Sequence, residues 1–149
     1  MMIRLYLDLC CLKRPFDDQR QERVRRESEL VAEIVERAER GELELVRSPA
    51  LRLENERNPR EDRHLAAALW IDGAAVDVEL TSQVEDRARA LVDLGFSPMD
   101  ALHVAFAEAA HVRYFVTCDD RLLALARRHA EEMRVVVAAP ADVPTDAEE

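Results

Sequence analysis

Four acidic residues, far apart along the chain, lie close to the predicted ends of strands or starts of helices: Asp8, Glu54, Asp100 and Asp119. Asp8 closes the apolar run MMIRLYL, where a buried strand ordinarily gives way to glycine, asparagine or serine. A carboxylate at such a point needs a partner, because an unpaired charge is costly to bury. Carboxylate oxygens are ligands that hard divalent cations prefer, so metal binding is one chemistry that such residues offer.

Strand and helix signals alternate along the chain and predict the elements that position these acids. Apolar, β-branched runs predict four strands, at about residues 3–8, 43–46, 113–117 and 134–138. Helical spacing and capping signals predict helices at about residues 24–40, 48–57, 60–71, 82–92, 97–110 and 120–129. Strands that alternate with helices predict an α/β fold with a central parallel sheet of about four strands, covered by helices on both faces.

In such a sheet, ligands bind outside the carboxyl ends of the strands. Asp8 ends the first strand, and Asp119 follows the strand at 113–117. Asp100 lies in the first turn of the helix that opens with Ser97-Pro98, and Glu54 lies one and a half turns into the helix after Ser48. If the connections are short, all of these elements meet at one edge of the sheet, and the four carboxylates surround one point.

Four motifs in this order resemble the PIN-domain ribonucleases, and most of all the toxins of VapC-type toxin–antitoxin pairs and their small stand-alone relatives. The motifs are YLD at the end of the first strand, SPALRLE after the second, DALHVAFA in a late helix and FVTCDDRLL after the next strand. The resemblance covers nearly the whole chain. It implies a three-layer α/β/α fold and a metal-dependent endonuclease that acts on RNA.

The resemblance also implies a set of site residues, cofactors and partners. Mg²⁺ or Mn²⁺ would be held by Asp8, Asp100 and Asp119, and Glu54 would complete the catalytic set. Candidates to support these acids through hydrogen bonds are Ser48, Thr117 and His103. The expected partners are an RNA substrate, an antitoxin protein and a second copy of the chain; the apolar stretch HLAAALWI (64–71) predicts the dimer interface, with Trp70 at or near it.

One departure from the family pattern keeps a second function open. Family members commonly have threonine or serine and then asparagine after the first aspartate, whereas this chain has Leu9 and Cys10 in the loop after Asp8. The alternative is a PIN-like module that binds RNA or a protein partner but cuts weakly or not at all. A phosphoacceptor domain is disfavoured, because AAPADVP follows the last strand without the lysine that such a domain needs.

Several candidate residues have structural alternatives. Glu56 competes with Glu54 as the second acid. Each residue of an α-helix turns by about 100°, so the two side chains point well apart, and the motif favours Glu54. Asp100 could be the return partner of a capping box that begins at Ser97. Asp120, three residues after Thr117, is predicted to cap the next helix, which leaves Asp119 for metal.

His103 and Arg14 are also open between two roles. His103 shares a helix face with Asp100 but has apolar neighbours, which favours a packed or supporting histidine over a base. Arg14 is a candidate substrate contact, with Asp17 and Asp18 beside it, although contacts within the loop are the simpler interpretation.

Composition and net charge restrict the functions and cellular locations that remain possible. The net charge of −10 argues against a protein that binds nucleic acid over its whole surface. Any RNA must therefore be bound by local arginine clusters or by metal ions that neutralise the carboxylates. Residues 1–140 are predicted to form one domain and residues 141–149 a solvated acidic tail. Three cysteines whose spacing matches no zinc motif are predicted to be small buried residues, with a reactive or metal-binding thiol as the alternative. No leader or membrane span is visible, which predicts a cytoplasmic protein.

Overall fold

A computed structural model describes residues 2–144 and places a five-stranded parallel sheet at the centre of the chain, in the order β3-β2-β1-β4-β5. The strands are β1 (Arg4–Leu7), β2 (Glu44–Arg47), β3 (Val76–Asp77), β4 (Tyr114–Val116) and β5 (Val136–Ala138). The helices are α1 (Leu9–Lys13), α2 (Glu22–Glu39), α3 (Pro49–Glu56), α4 (Glu61–Gly73), α5 (Ser82–Asp93), α6 (Pro98–Ala109) and α7 (Asp120–Arg128). The predicted α/β class and the three-layer α/β/α arrangement are confirmed. The sheet has one strand more than predicted, because β3 is only two residues long and gives no periodic signal.

The central strand β1 lies between β2 and β4, with Leu5 in register with both Leu45 and Tyr114. Leu5, Tyr6 and Leu7 are all buried, as expected for a strand covered on both faces. The Tyr6 ring stacks on Phe115, with ring centroids 5.1 Å apart. Because every strand runs in the same direction, the residues that follow β1 and β4 emerge at the same edge of the sheet.

Helix caps fix where the chain leaves this edge. The Ser48 and Ser97 hydroxyls accept hydrogen bonds from the backbone N–H groups of Leu51 and Asp100, which confirms the predicted starts of α3 and α6. Helix α5 is different: its capping side chain is Thr81, which accepts from the Val84 N–H group. In the sequence, Ser82 followed by Glu85 three residues later gives a capping-box pattern that predicts Ser82 as the cap, and this prediction is wrong by one residue.

The segment after Asp8, expected to be a loop, is the short helix α1. Asp8 has extended backbone angles and its side chain accepts a hydrogen bond from the Leu9 N–H group, so it is the N-cap of this helix. Leu9, Cys11 and Leu12 are buried by the turn that follows. A capping carboxylate and a buried apolar face thus replace the expected loop.

The predicted tail starts too early. Pro140 and Val143 are buried, and the Pro144 carbonyl accepts a hydrogen bond from Arg37 on α2. Residues 140–144 therefore pack on the body of the molecule. The rest of the predicted tail, 145–149, lies outside the described residues. The single domain over 1–140 stays a prediction. Among residues 2–144, no helix combines the length and the apolar composition that a membrane span requires.

Candidate functional site

Asp8 lies at the carboxyl end of the central strand and is only 6% exposed. Its Oδ1 accepts a hydrogen bond from the Leu9 N–H group at 2.9 Å, and its Oδ2 accepts one from the Thr117 hydroxyl at 2.8 Å. Burial raises the pKa of Asp8 well above its ordinary value, and the neighbouring Cys10 and Glu54 raise it further. Thr117, predicted to support the acids, is therefore a direct partner of Asp8.

A chain of short hydrogen bonds links the buried side of the site to Glu54. Tyr6 Oη lies 2.6 Å from Ser48 Oγ and 2.7 Å from His103 Nδ1, and His103 Nε2 lies 2.7 Å from Glu54 Oε1. With a neutral histidine, the Ser48 hydroxyl donates to Tyr6, Tyr6 donates to His103, and His103 donates to Glu54. This direction gives every donor an acceptor, while Ser48 Oγ still accepts from the Leu51 N–H group.

Both ring nitrogens of His103 are engaged in this chain, so its role is to hold Glu54 in place. His103 is a packed histidine, only 1% exposed, and its support of the catalytic acids stays a prediction. Burial alone would lower the pKa of His103, but the hydrogen bond to Glu54 and the charges of Asp8 and Asp100 raise it overall. Partial burial would raise the pKa of Glu54, but the contact with His103 lowers it overall, so Glu54 stays ionised.

The choice between Glu54 and Glu56 is clear in the structure. Glu54 is partly buried and bonded to His103, whereas Glu56 is exposed on another face of α3. Helical rotation separates them as expected. Glu54 is the acid of α3 that faces the site.

Asp100 lies in the first turn of α6 and is partly buried. Its backbone N–H group donates to Ser97, so the backbone half of the predicted capping box is present. Burial raises the pKa of Asp100, and the negative charges of Asp119 and Glu54 raise it further, although the Ser97 hydrogen bond opposes this. The Asp100 carboxylate therefore lies within electrostatic reach of two of the other acids.

The roles predicted for Asp119 and Asp120 need a correction. Asp119, not Asp120, is the N-cap of α7, and its Oδ1 accepts from the backbone N–H groups of Arg121 and Leu122. Asp120 instead forms an ion pair with Arg23, at 2.7 Å. The physical reason is that Asp119 has the extended backbone that an N-cap needs, whereas Asp120 is already the first helical residue.

The described residues thus contain an inner group and two outlying acids. Oxygen or nitrogen atoms of Asp8, Glu54 and His103 all lie within 4.8 Å of one another. Asp100 and Asp119 are not members of that group. In residues 2–144, no lysine or arginine forms an ion pair with Asp8, Asp100 or Asp119, in contrast to the neighbouring Asp120.

Arg14 does not face this group. Its guanidinium binds Glu27 at 2.6 Å and Asp17 at 3.1 Å, so it fixes the segment after α1 to α2. The simpler interpretation, contacts within the loop, therefore describes its position, and a direct contact with substrate has no support here. Lys13, the only lysine of the chain, lies close enough to Glu54 for its charge to help lower the pKa of that carboxyl.

The three cysteines come together beside Asp8. Cys11 and Cys118 are buried, as predicted, and Cys10 is partly buried. Their sulfur atoms all lie within 4.8 Å of one another, although Cys118 is more than a hundred residues from the other two. Hydrogen bonds from the Cys10 and Cys11 thiols hold the pKa of Cys118 well below its ordinary value.

Sequence reasoning missed Tyr6 and the proximity of the cysteines. Tyr6 had a usable signal, because it lies two residues before Asp8 and alternate residues of a strand share a face. The sulfur cluster had none, since it depends on the pairing of β1 with β4 and not on local spacing.

Neither a protein-family model nor a curated protein matches this chain.

Proposed function

We propose that this protein is a metal-dependent endoribonuclease that cleaves RNA phosphodiester bonds at Asp8, Glu54, Asp100 and Asp119. The observation that carries the proposal is the convergence of Asp8 and Glu54, from two distant segments, at the carboxyl edge of a parallel sheet. The resemblance to PIN-domain ribonucleases supports the same assignment. It also supports the more specific proposal that the chain is the toxin of a toxin–antitoxin pair.

The donor set fits a hard divalent cation. Carboxylate oxygens dominate it, and both nitrogens of His103 already have hydrogen-bond partners. Burial raises the pKa values of Asp8 and Asp100, the negative charge of Glu54 raises both further, and no ion pair in residues 2–144 relieves either acid. A cation that binds oxygen would supply the missing positive charge, as Mg²⁺ or Mn²⁺ does in carboxylate sites.

Asp8, Asp100 and Asp119 would hold the metal, with Glu54 beside them. Bound there, Mg²⁺ or Mn²⁺ would lower the pKa of a coordinated water and stabilise negative charge on the scissile phosphate. Thr117 orients the Asp8 carboxylate, and the chain from Ser48 through Tyr6 and His103 orients Glu54. Lys13 is placed to attract the phosphate backbone, since it lies near Glu54 and has no ion pair in the described residues.

The chain offers two matched pairs of acids for the test. Asp119→Asn and Glu54→Gln change residues of the proposed site, whereas Asp120→Asn and Glu56→Gln change their exposed neighbours. Total RNA would be incubated with each protein in Mg²⁺, Mn²⁺ or EDTA, and the cut ends mapped. We expect metal-dependent cuts from the wild type and the neighbour variants, and a loss of about a hundredfold or more in the site variants.

The same assay separates cleavage from binding alone. RNA that the wild type retains without cutting in any metal would favour the alternative, a module that binds RNA or a protein partner. That alternative gains support from Cys10, whose thiol contacts Asp8 Oδ2 at 3.5 Å in a position where the family commonly has asparagine. Equal cleavage by the site variants and their neighbours would contradict the site assignment.

We also propose that the protein forms a homodimer through α4. Leu65 and Leu69 on this helix are 55% and 72% exposed, while Ala67 and Ile71 on its other side are buried. Trp70 is partly buried and packs on the core, so it would lie at the border of the interface and not at its centre. Exposed leucines on one helix face are typical of a contact with another chain.

A further inference from the structure

The cluster of Cys10, Cys11 and Cys118 is a second group of metal-binding atoms, separate in its chemistry from the carboxylates. Cys10 and Cys11 lie in α1, directly after Asp8, and Cys118 lies between β4 and α7, directly before Asp119. The pairing of β1 with β4 brings the two segments together. The sulfurs are thus fixed by the sheet and not by a flexible loop.

The sulfur positions match those of a thiolate metal site. Zinc binds thiolate sulfur at about 2.3 Å, so two sulfurs of a tetrahedral site lie about 3.8 Å apart. Cys11 Sγ and Cys118 Sγ are 3.7 Å apart, and Cys10 Sγ lies within 4.8 Å of both. A small movement of the Cys10 side chain would place all three sulfurs around one ion.

Two polar groups surround the sulfur of Cys10. The Cys118 backbone N–H group donates to Cys10 Sγ at 3.3 Å, and the Thr117 hydroxyl lies 3.4 Å from the same sulfur. Cys10 is only partly buried, so solvent ions can reach the cluster at this residue. Cys11 and Cys118 are closed off by the core, as the inner ligands of such a site would be.

We propose that Cys10, Cys11 and Cys118 bind one thiophilic d¹⁰ cation, of the class of Zn²⁺ or Cu⁺. Thiolate ligands select these ions over Mg²⁺ and Mn²⁺, which prefer oxygen. Binding converts thiols to thiolates and releases their protons to solvent, with no change in oxidation state. This proposal does not depend on nuclease activity.

The cysteine cluster adjoins the carboxylates, so a cation bound to it would change their electrostatic surroundings. Cys10 Sγ lies 3.5 Å from Asp8 Oδ2. A cation on the sulfurs would therefore place positive charge next to Asp8 and fix the position of α1. The two sites would be filled by different ions but coupled through one carboxylate.

Cobalt is a suitable probe, because Co²⁺ bound to thiolates gives a sulfur-to-metal charge-transfer absorption that oxygen ligands do not give. The intact chain, kept reduced with a phosphine, would be titrated with Co²⁺ and then with Zn²⁺. We expect the band to saturate at one Co²⁺ per chain and to vanish as Zn²⁺ displaces it. Absence of the band in wild type would overturn the proposal.

Four variants assign the ligands. Cys10→Ser, Cys11→Ser and Cys118→Ser should each lose most of the band, whereas Glu54→Gln should keep it. A band that survives all three serine variants, or that disappears in Glu54→Gln alone, would contradict the assignment.

Because Cys11 and Cys118 are buried, their serine variants could fail to fold, so a second measurement uses wild type only. Cd²⁺ should protect Cys10, the one partly exposed cysteine of the three, from alkylation of the folded protein, as read by mass spectrometry after digestion, while Mg²⁺ should not. Equal alkylation with Cd²⁺ and Mg²⁺ would overturn the proposal. Neither readout involves RNA cleavage, so failure here is distinguishable from failure of the proposed nuclease function.

Discussion

At the residue scale, Asp8 combines two roles that oppose each other. It caps α1 and accepts a hydrogen bond from Thr117, both of which favour the carboxylate in this position. It is also almost fully buried, with Glu54 nearby, and this disfavours its negative charge. Hydrogen bonds therefore fix the position of the Asp8 side chain, but no positive charge balances its carboxylate. A bound cation would supply that charge.

Asp8→Asn should separate these two contributions. Asparagine caps helices about as well as aspartate, so the variant without metal should be at least as stable as wild type at neutral pH. The pKa of Asp8 is raised on folding, so its contribution to stability is greatest below the pKa of the unfolded chain and is lost as pH rises through the higher folded pKa. The advantage of the variant in free energy of unfolding should therefore grow with pH above about 4.

Denaturant unfolding in EDTA at several pH values measures this difference, and repeating it in Mn²⁺ tests the ligand role. Wild type should gain more stability from Mn²⁺ than Asp8→Asn does, because only a ligand of the folded state shifts the transition. A variant that is less stable than wild type in EDTA and gains as much from Mn²⁺ would show that Asp8 is structural.

Lys13 and Arg14 are neighbours with different expected roles. Lys13→Met should weaken RNA binding and cleavage while changing the free energy of unfolding by less than about 0.5 kcal/mol, because Lys13 has no ion-pair partner in residues 2–144. Arg14→Met should cost on the order of 3 kcal/mol, because it leaves the buried Glu27 without its closest partner. Urea unfolding and RNA binding of both variants measure the contrast; a destabilised Lys13→Met would contradict it.

At the scale of single elements, the starts of the helices determine where the acids lie. Helix α3 presents Glu54 one and a half turns after its cap Ser48, and α6 presents Asp100 in its first turn after Ser97. Helix α7 differs, because its cap is Asp119 itself. A metal at Asp119 would therefore have to share that carboxylate with two backbone N–H groups, and its Oδ2 is the freer oxygen.

The cap of α5 gives a direct test at this scale. Thr81→Ala should lower the free energy of unfolding by about 1 kcal/mol, because the Val84 N–H group loses its acceptor. Ser82→Ala, one residue along and exposed, should change it by less than about 0.5 kcal/mol. Thermal unfolding of both variants measures the difference. A larger loss of stability in Ser82→Ala than in Thr81→Ala would show that Ser82 is the cap.

At the scale of the whole molecule, α4 presents its leucines to solvent at one side of the sheet. We expect the wild type to have the mass of a dimer in sedimentation or light scattering at micromolar concentration. Leu69→Arg should shift it to the monomer, because a charge would be buried in the apolar contact. Leu80→Arg, at an apolar position outside α4 that is 54% exposed, should remain a dimer.

A strictly monomeric wild type at high micromolar concentration would contradict this interface. A dimer that survives Leu69→Arg but is lost in Leu80→Arg would place the contact elsewhere. Either result leaves the carboxylate site unaffected, since α4 contributes none of the proposed acids.

The sequence by itself determined the fold class, most element boundaries and the starts of two helices around the site, α3 and α6. Local signals sufficed, because alternating apolar runs and helical spacing reflect burial, and Ser48-Pro49 and Ser97-Pro98 satisfy backbone groups within their own turn. It also predicted four site acids, which stay a prediction, and it preferred Glu54 over Glu56, which follows from the pitch of a single helix. The short β3, the helix α1 and the caps Thr81 and Asp119 were missed or misplaced, since neighbouring capping residues differ only in backbone angles.

Tertiary structure alone decided which side chains meet. Tyr6, Ser48, His103 and Glu54 form one hydrogen-bonded chain only because β1 packs against the starts of α3 and α6. Cys118 joins Cys10 and Cys11 only because β4 pairs with β1 in one particular register. Such contacts depend on the packing of elements far apart in the chain, and no local pattern of residues encodes the distance between them.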